Sequence, residues 1–222
     1  EIYSTQGEEV QIHSQGRLST VLQQSPSQQN IAAIQSRLHQ SKEKEECYRL
    51  FKEVGLQYGT SFQGIETLYY NQEEALSKIN LPQEKDYILQ PGVLDSALQT
   101  CIGLSFDTEE KSLRLPFSVQ EVNIYQHLPE NIWCYARKSN HNKTSGKIIH
   151  YDIDLLNEVG EILLSFKDFA TLPIDGFSTI QSTQQQLIEE KPNTHLYGSV
   201  WQETLLTQSS QQTITPASQL IL

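Results

Sequence analysis

Asp95 and Gln99 lie four positions apart in PGVLDSALQTC, an apolar run that begins at Pro91-Gly92 and reads as one short helix over residues 93–104. Residues four apart project from one face of a helix. Around them stand Val93, Leu94, Ala97, Leu98, Cys101 and Ile102. A carboxyl in such surroundings loses solvation, and its pKa rises. A carboxylic acid kept protonated near neutral pH can act as a general acid, with a nearby amide orienting it. A plainer reading is equally available, because an Asp soon after Pro-Gly also suits the first turn of a helix and its dipole. Spacing alone leaves both open.

Other residues carry weaker signals. Tyr58 follows a helical stretch and precedes a strand, which suits half-buried packing with a wet hydroxyl. Phe62 and Phe117 read as core, and Gly59 and Gly64 as backbone requirements. Cys47, Cys101 and Cys134 are far apart, odd in number and include no C-x-x-C pair, so they read as reduced thiols of a cytoplasmic protein. No His/Cys cluster has the spacing of a zinc site.

The elements that must position these residues change character along the chain. Residues 2–18 suit a hairpin turning at Gln6-Gly7, and residues 21–30 a polar linker. From Ile31 to Val54 apolar residues recur at three- and four-residue steps. Asn30 is placed to cap that helix, Gly55 to end it, and residues 41–46, SKEKEE, read either as a solvated face or as a break. Residues 62–70 and 74–79 read as paired strands joined near Asn71. Four further strand-like runs follow the Asp95 helix, over residues 113–125, 132–137, 147–156 and 161–172, with turn signals between them. The pattern predicts an α+β fold in which one central helix is followed by a four-stranded meander.

Composition narrows the function. The 222 residues carry 16 Lys and Arg against 27 Asp and Glu, a formal net charge of −11, which argues against nucleic acid. No apolar run approaches the roughly 20 residues of a membrane span. Methionine is absent, even at position 1, and the opening residues read as strand without a signal-peptide pattern, so the expectation is a piece of a longer protein.

Three segments, in order, resemble motifs of polyketide synthase dehydratase domains. Residues 55–65, GLQYGTSFQGI, resemble a Tyr-Gly-Pro-x-Phe segment. Residues 89–99, LQPGVLDSALQ, resemble an Asp-x-x-x-Gln helix preceded by His-Pro, and residues 113–119, LRLPFSV, a Leu-Pro-Phe-Ser-Trp strand. The resemblance implies a hotdog fold, an antiparallel sheet wrapped around a central helix, here the second half of a double hotdog. It also implies a division of the chain. Residues 1–20 would end the N-terminal hotdog repeat, 21–30 form a linker, 31–175 the C-terminal repeat and 176–194 a second linker. Residues 195–222 would open a ketoreductase-type domain. In such enzymes a His of the first repeat removes the α-proton of a β-hydroxyacyl thioester, and the Asp of the second protonates the departing hydroxyl.

Carried over by position, Asp95 matches the acid, Gln99 its positioning partner and Tyr58 the tyrosine near the substrate hydroxyl. Leu115, Pro116 and Phe117 match a strand that shapes the substrate channel. The implied partners are an acyl carrier protein bearing the substrate on phosphopantetheine, the first hotdog repeat and neighbouring domains of a homodimeric synthase of secondary metabolism. No metal or dissociable redox cofactor is implied.

The match has gaps. The base motif, His-x-x-x-Gly-x-x-x-x-Pro, is absent, and none of the six histidines fits it; the expectation is that the base lies upstream of Glu1 and that the chain alone is inactive. Gln90 stands where His precedes the Pro, Thr60 replaces the motif's Pro, and Val119 replaces the Trp. Gln90 can still donate a hydrogen bond but cannot titrate near pH 7. These departures leave room for a double-bond isomerase, a pyran-forming domain or a silent spacer, although retention of Asp95 favours dehydration. A stand-alone thioesterase-like hotdog protein is the remaining alternative, disfavoured by the missing Met.

Overall fold

The computed structural model describes residues 1–6, 9–20, 26–82, 87–106, 113–140 and 147–173. The expected second linker and ketoreductase-type segment therefore lie outside the described residues. Strands β1 (Ile2–Gln6) and β2 (Glu9–Ser14) form the expected antiparallel hairpin, a small sheet of its own.

Asn30 caps α1 (Ile31–Ser36) as expected, its Oδ1 accepting the Ala33 N–H at 2.9 Å. The charged stretch after it is a break, but of an unexpected kind. Residues Gln40–Glu43 form β3, an edge strand, before α2 (Lys44–Glu53) begins. The polar residues suit an edge, where one side of the strand has no backbone partner and charge discourages further pairing. Gly55, at φ +94°, ends α2 in the left-handed conformation that glycine adopts without strain.

Strands β4 (Ile65–Tyr70) and β5 (Glu74–Asn80) follow, joined by a turn in which Asn71 Oδ1 accepts from the Glu73 and Glu74 N–H groups. The central helix α3 covers Pro91–Thr100 and tightens into a 3-10 turn over Cys101–Ser105. Next come β6 (Arg114–Ser118), β7 (Glu121–Ile124), β8 (Asn131–Lys138), β9 (Ile149–Leu156) and β10 (Ile162–Pro173).

The large sheet runs β3-β4-β5-β8-β9-β10-β6, all antiparallel, with β7 also on β10. This corrects the simple meander. Residues 113–125 are two strands rather than one, and both pair with the long β10 instead of with β8. Pro116, which has no N–H to donate, fits such an edge. Between their two registers β10 bulges at Asp168, whose φ of +54° is steadied by its N–H bonding Asp152 Oδ1 at 3.0 Å.

Strand alternation sorts the core into two layers. Ala75 and Ile79, Ile132 and Cys134, Ile153 and Leu155 face α2 and α3. Leu76, Tyr135 and Leu156 face the other way and bury Ile34 and Leu38 from α1 and its exit. A helix packed on one face of an antiparallel sheet is the hotdog arrangement, as expected.

Candidate active site

Helix α3 is held from both sides by polar groups that the sequence places at one-turn intervals. Ser96 Oγ donates to the Gly92 carbonyl at 2.7 Å and Thr100 Oγ1 to the Ser96 carbonyl at 3.0 Å. Ser77 Oγ on β5 meets Thr100 Oγ1 at 2.6 Å, which pins the helix to the sheet. All three hydroxyl residues are completely buried. At the helix start Gln90 occupies the N-cap position and Pro91 the first turn, where its missing N–H costs nothing. The Gln90 side chain does not cap; its Nε2 donates to the Pro82 carbonyl at 2.7 Å and so ties the preceding loop to the helix.

These constraints place Asp95 in the second turn, past the capping positions, which excludes the capping role that spacing had allowed. Its carboxyl is half-buried beside the apolar Leu94 and Leu98. Burial raises its pKa above the ordinary aspartate value, and the hydrogen bond from Gln99 opposes the rise. Gln99 is only 2% exposed. Its Nε2 donates to Asp95 Oδ2 at 2.7 Å and to the Phe62 carbonyl at 2.9 Å, and its Oε1 accepts from the Tyr48 hydroxyl at 3.0 Å. The arrangement is an oriented carboxyl with a raised pKa. It can give up a proton to a group brought against it.

Tyr58 reaches the same place from the α2 exit. Its ring packs edge-on against Tyr48 and Phe51, with centroids 6.1 and 5.6 Å away. Burial, then the nearby Asp95 charge, push its phenol up to about 12, so it stays a neutral hydrogen-bonding group. Gln99, Leu98 and Ile102 also line a cavity of about 830 Å³ that extends toward Phe51, Phe106, Tyr151 and Phe169.

The expected channel strand fits less well. Pro116 lines that cavity, with Leu113 and Arg114 before it. Leu115 and Phe117 alternate to the other face of β6 and stand 41% and 62% exposed. The core assignment of Phe117 is thus corrected, and that of Phe62 as well, since its side chain is 39% exposed while its carbonyl anchors Gln99. Tyr48, Ser77, Ser96 and Thr100 were not singled out in the sequence. Tyr48 left one signal, a polar-tipped aromatic inside the buried α2 stripe of Cys47 and Phe51. Of the histidines, His13 bonds Ser4 on the hairpin and His150 faces Asp168 between β9 and β10.

A family model described as "Polyketide synthase dehydratase N-terminal domain" matches residues 26–175. The chain belongs to the polyketide synthase dehydratase family. Within that family it is 33% identical over 208 residues to the polyketide synthase PksM of Bacillus subtilis, covering 87% of this chain and 5% of that synthase. A trans-AT polyketide synthase dehydratase domain from Brevibacillus brevis superposes with a TM-score of 0.69 at 34% identity, over 78% of this chain and 63% of that one. The CurK dehydratase, solved as a histidine-to-phenylalanine inactive mutant, gives 0.61 at 25% identity, over 70% and 55% of the two chains. The dehydratase-family chain thus spans a small part of the synthase and under two thirds of either solved domain. Among the described residues no helix is long and apolar enough to cross a membrane.

Proposed function

We propose that residues 31–175 are the acid-bearing hotdog repeat of a dehydratase, with Asp95 as the proton donor. The substrate is a β-hydroxyacyl thioester carried on the phosphopantetheine of an acyl carrier protein. A base takes the α-proton, the β-carbon to oxygen bond breaks, and the Asp95 proton leaves with the hydroxyl as water, giving the α,β-unsaturated thioester. Such a step needs no metal or redox cofactor. Gln99 positions the acid, and the neutral Tyr58 lies where it can hydrogen-bond the substrate hydroxyl. Pro116 borders the cavity that Gln99 also lines, and Gln90 supports the helix start.

The observation that carries this reading is the half-buried Asp95 carboxyl held by the fully buried Gln99 amide. The Gln99 amide is satisfied by three hydrogen bonds, whereas the half-buried carboxyl it holds carries a desolvation cost, and that favours a chemical role for Asp95 over a silent spacer. The histidine mutant of the related CurK dehydratase is described as inactive, which supports a histidine base. We assign that base to the other hotdog repeat, with residues 1–20 its closing strands, 21–30 the connection, and further synthase domains after residue 175. The assignment to the second repeat rests on the resemblance of the Asp95 helix to the acid-bearing motif, and it departs from the N-terminal wording of the family model that matches residues 26–175. The three buried free thiols agree with a reducing, cytoplasmic setting.

The test is dehydration of a 3-hydroxyacyl carrier-protein thioester by the synthase region containing both repeats. Asp95→Asn should lower turnover by a factor on the order of 10² to 10⁴ while the fold persists. Unchanged formation of the enoyl product would remove Asp95 from the mechanism.

A further inference from the structure

The Gln99 amide is oriented by a residue on another element. Tyr48, on α2, accepts the Ile65 backbone N–H at 3.0 Å, so its single hydroxyl proton is directed onward to Gln99 Oε1, also at 3.0 Å. The Phe62 carbonyl lies farther from that hydroxyl, at 3.5 Å, and instead takes a Gln99 N–H at 2.9 Å. Every polar atom of the amide is thereby assigned. Its oxygen accepts from the Tyr48 hydroxyl, for which the Phe62 carbonyl is the more distant alternative, and its nitrogen donates to two acceptors. Reversing the amide would set Oε1 against the Phe62 carbonyl and leave a buried polar group badly paired.

We propose that Tyr48 is a positioning residue for proton donation. By holding Gln99 in one orientation it makes Asp95 Oδ2 the accepting oxygen and leaves Oδ1 to carry the transferable proton. The inference rests on Asp95 being the acid. Donation from Tyr48 to Oε1 also polarises the amide, and a polarised amide is a stronger N–H donor to the carboxylate. The ionisable groups facing this site from α2 and its exit are Tyr48 and Tyr58, and burial raises the pKa of both phenols, so neither adds charge.

Tyr48→Phe keeps the ring, which packs edge-on against Phe51 at 5.5 Å, and removes only the hydroxyl. In the 222-residue chain carrying carboxyl-labelled aspartate, the NMR titration midpoint of Asp95 should move to higher pH in this variant, because Gln99 stabilises the carboxylate less. In the region containing both repeats, dehydration should fall roughly tenfold to a hundredfold in kcat with KM little changed. The alkaline limb of the rate profile should also shift upward. A merely structural role would lower the melting temperature and leave the Asp95 midpoint in place, and that result overturns the proposal. Should Tyr48→Phe not fold, 3-fluorotyrosine at position 48 strengthens the donor and must move the midpoint the other way; no shift has the same force. Asp95→Asn reports separately on the acid assignment, since full activity there defeats that reading whatever Tyr48 does.

Discussion

Gly92 at the start of α3 lies so close to the Ser61 carbonyl that a Cβ on the glycine would overlap the oxygen. This approach brings the Thr60–Phe62 turn onto the helix, and the same turn offers the Phe62 carbonyl that Gln99 binds about two turns later. The glycine and the amide therefore belong to one contact. The helix can carry its acid in the right place only if nothing separates it from that turn.

Gly92→Ala should consequently push the two apart. The nearest atom is a backbone oxygen rather than a flexible side chain, and overpacking of this kind costs about 1–3 kcal/mol. Urea unfolding should show the lower midpoint, with dehydration reduced further than stability alone explains. A midpoint equal to the parent's would mean that the turn moves freely.

Asp95→Asn should stabilise the chain above neutral pH. The fold raises the Asp95 pKa above its unfolded value, chiefly by burial. The contribution of the protonated group to stability is fully present below the unfolded value of about 3.9 and is lost as pH rises through the raised folded value. An asparagine keeps the Gln99 contact and does not ionise. The variant should therefore exceed the parent in urea midpoint at high pH, and the gap should close as the solution is made acidic. A constant gap across pH would show that Asp95 is not desolvated.

Thr100→Val should cost about 1–3 kcal/mol, because it keeps the shape of the side chain but leaves the buried Ser77 hydroxyl without its 2.6 Å partner. Ser77→Ala in addition should recover part of the loss, since removing both polar groups is cheaper than stranding one. Additive losses in the double mutant would deny the coupling.

The thiols should be silent in the native chain. Cys47 and Cys134 are pushed up to about 12 by burial, and Cys101 is raised as well. With little thiolate and no access, Ellman's reagent at pH 8 should detect none of the three until the chain is unfolded. Prompt reaction of any one would show that the core opens around it.

The sequence determined what lies within a turn or a strand of itself. Asp95 and Gln99 share a helix face by virtue of a four-residue step, Asn30 caps and Gly55 terminates by backbone preference, and alternation marks most of the strands. Tertiary structure decided what depends on separate segments meeting. Asp95 proved to be past the cap because the helix begins at Pro91, two residues before the expected start, where Gly92 meets the Ser61 carbonyl. Residues 113–125 split into two strands because β10 is long enough to pair with both, which no local pattern in those residues records. Phe117 faces outward because the edge register on β10, pairing Thr171 with Pro116, turns Pro116 toward the cavity. The orientation of the Gln99 amide, with Tyr48 51 positions away, follows from hydrogen bonds across α2, α3 and β4. Such bonds depend on distance in space, and the spacing of residues along the chain does not encode it.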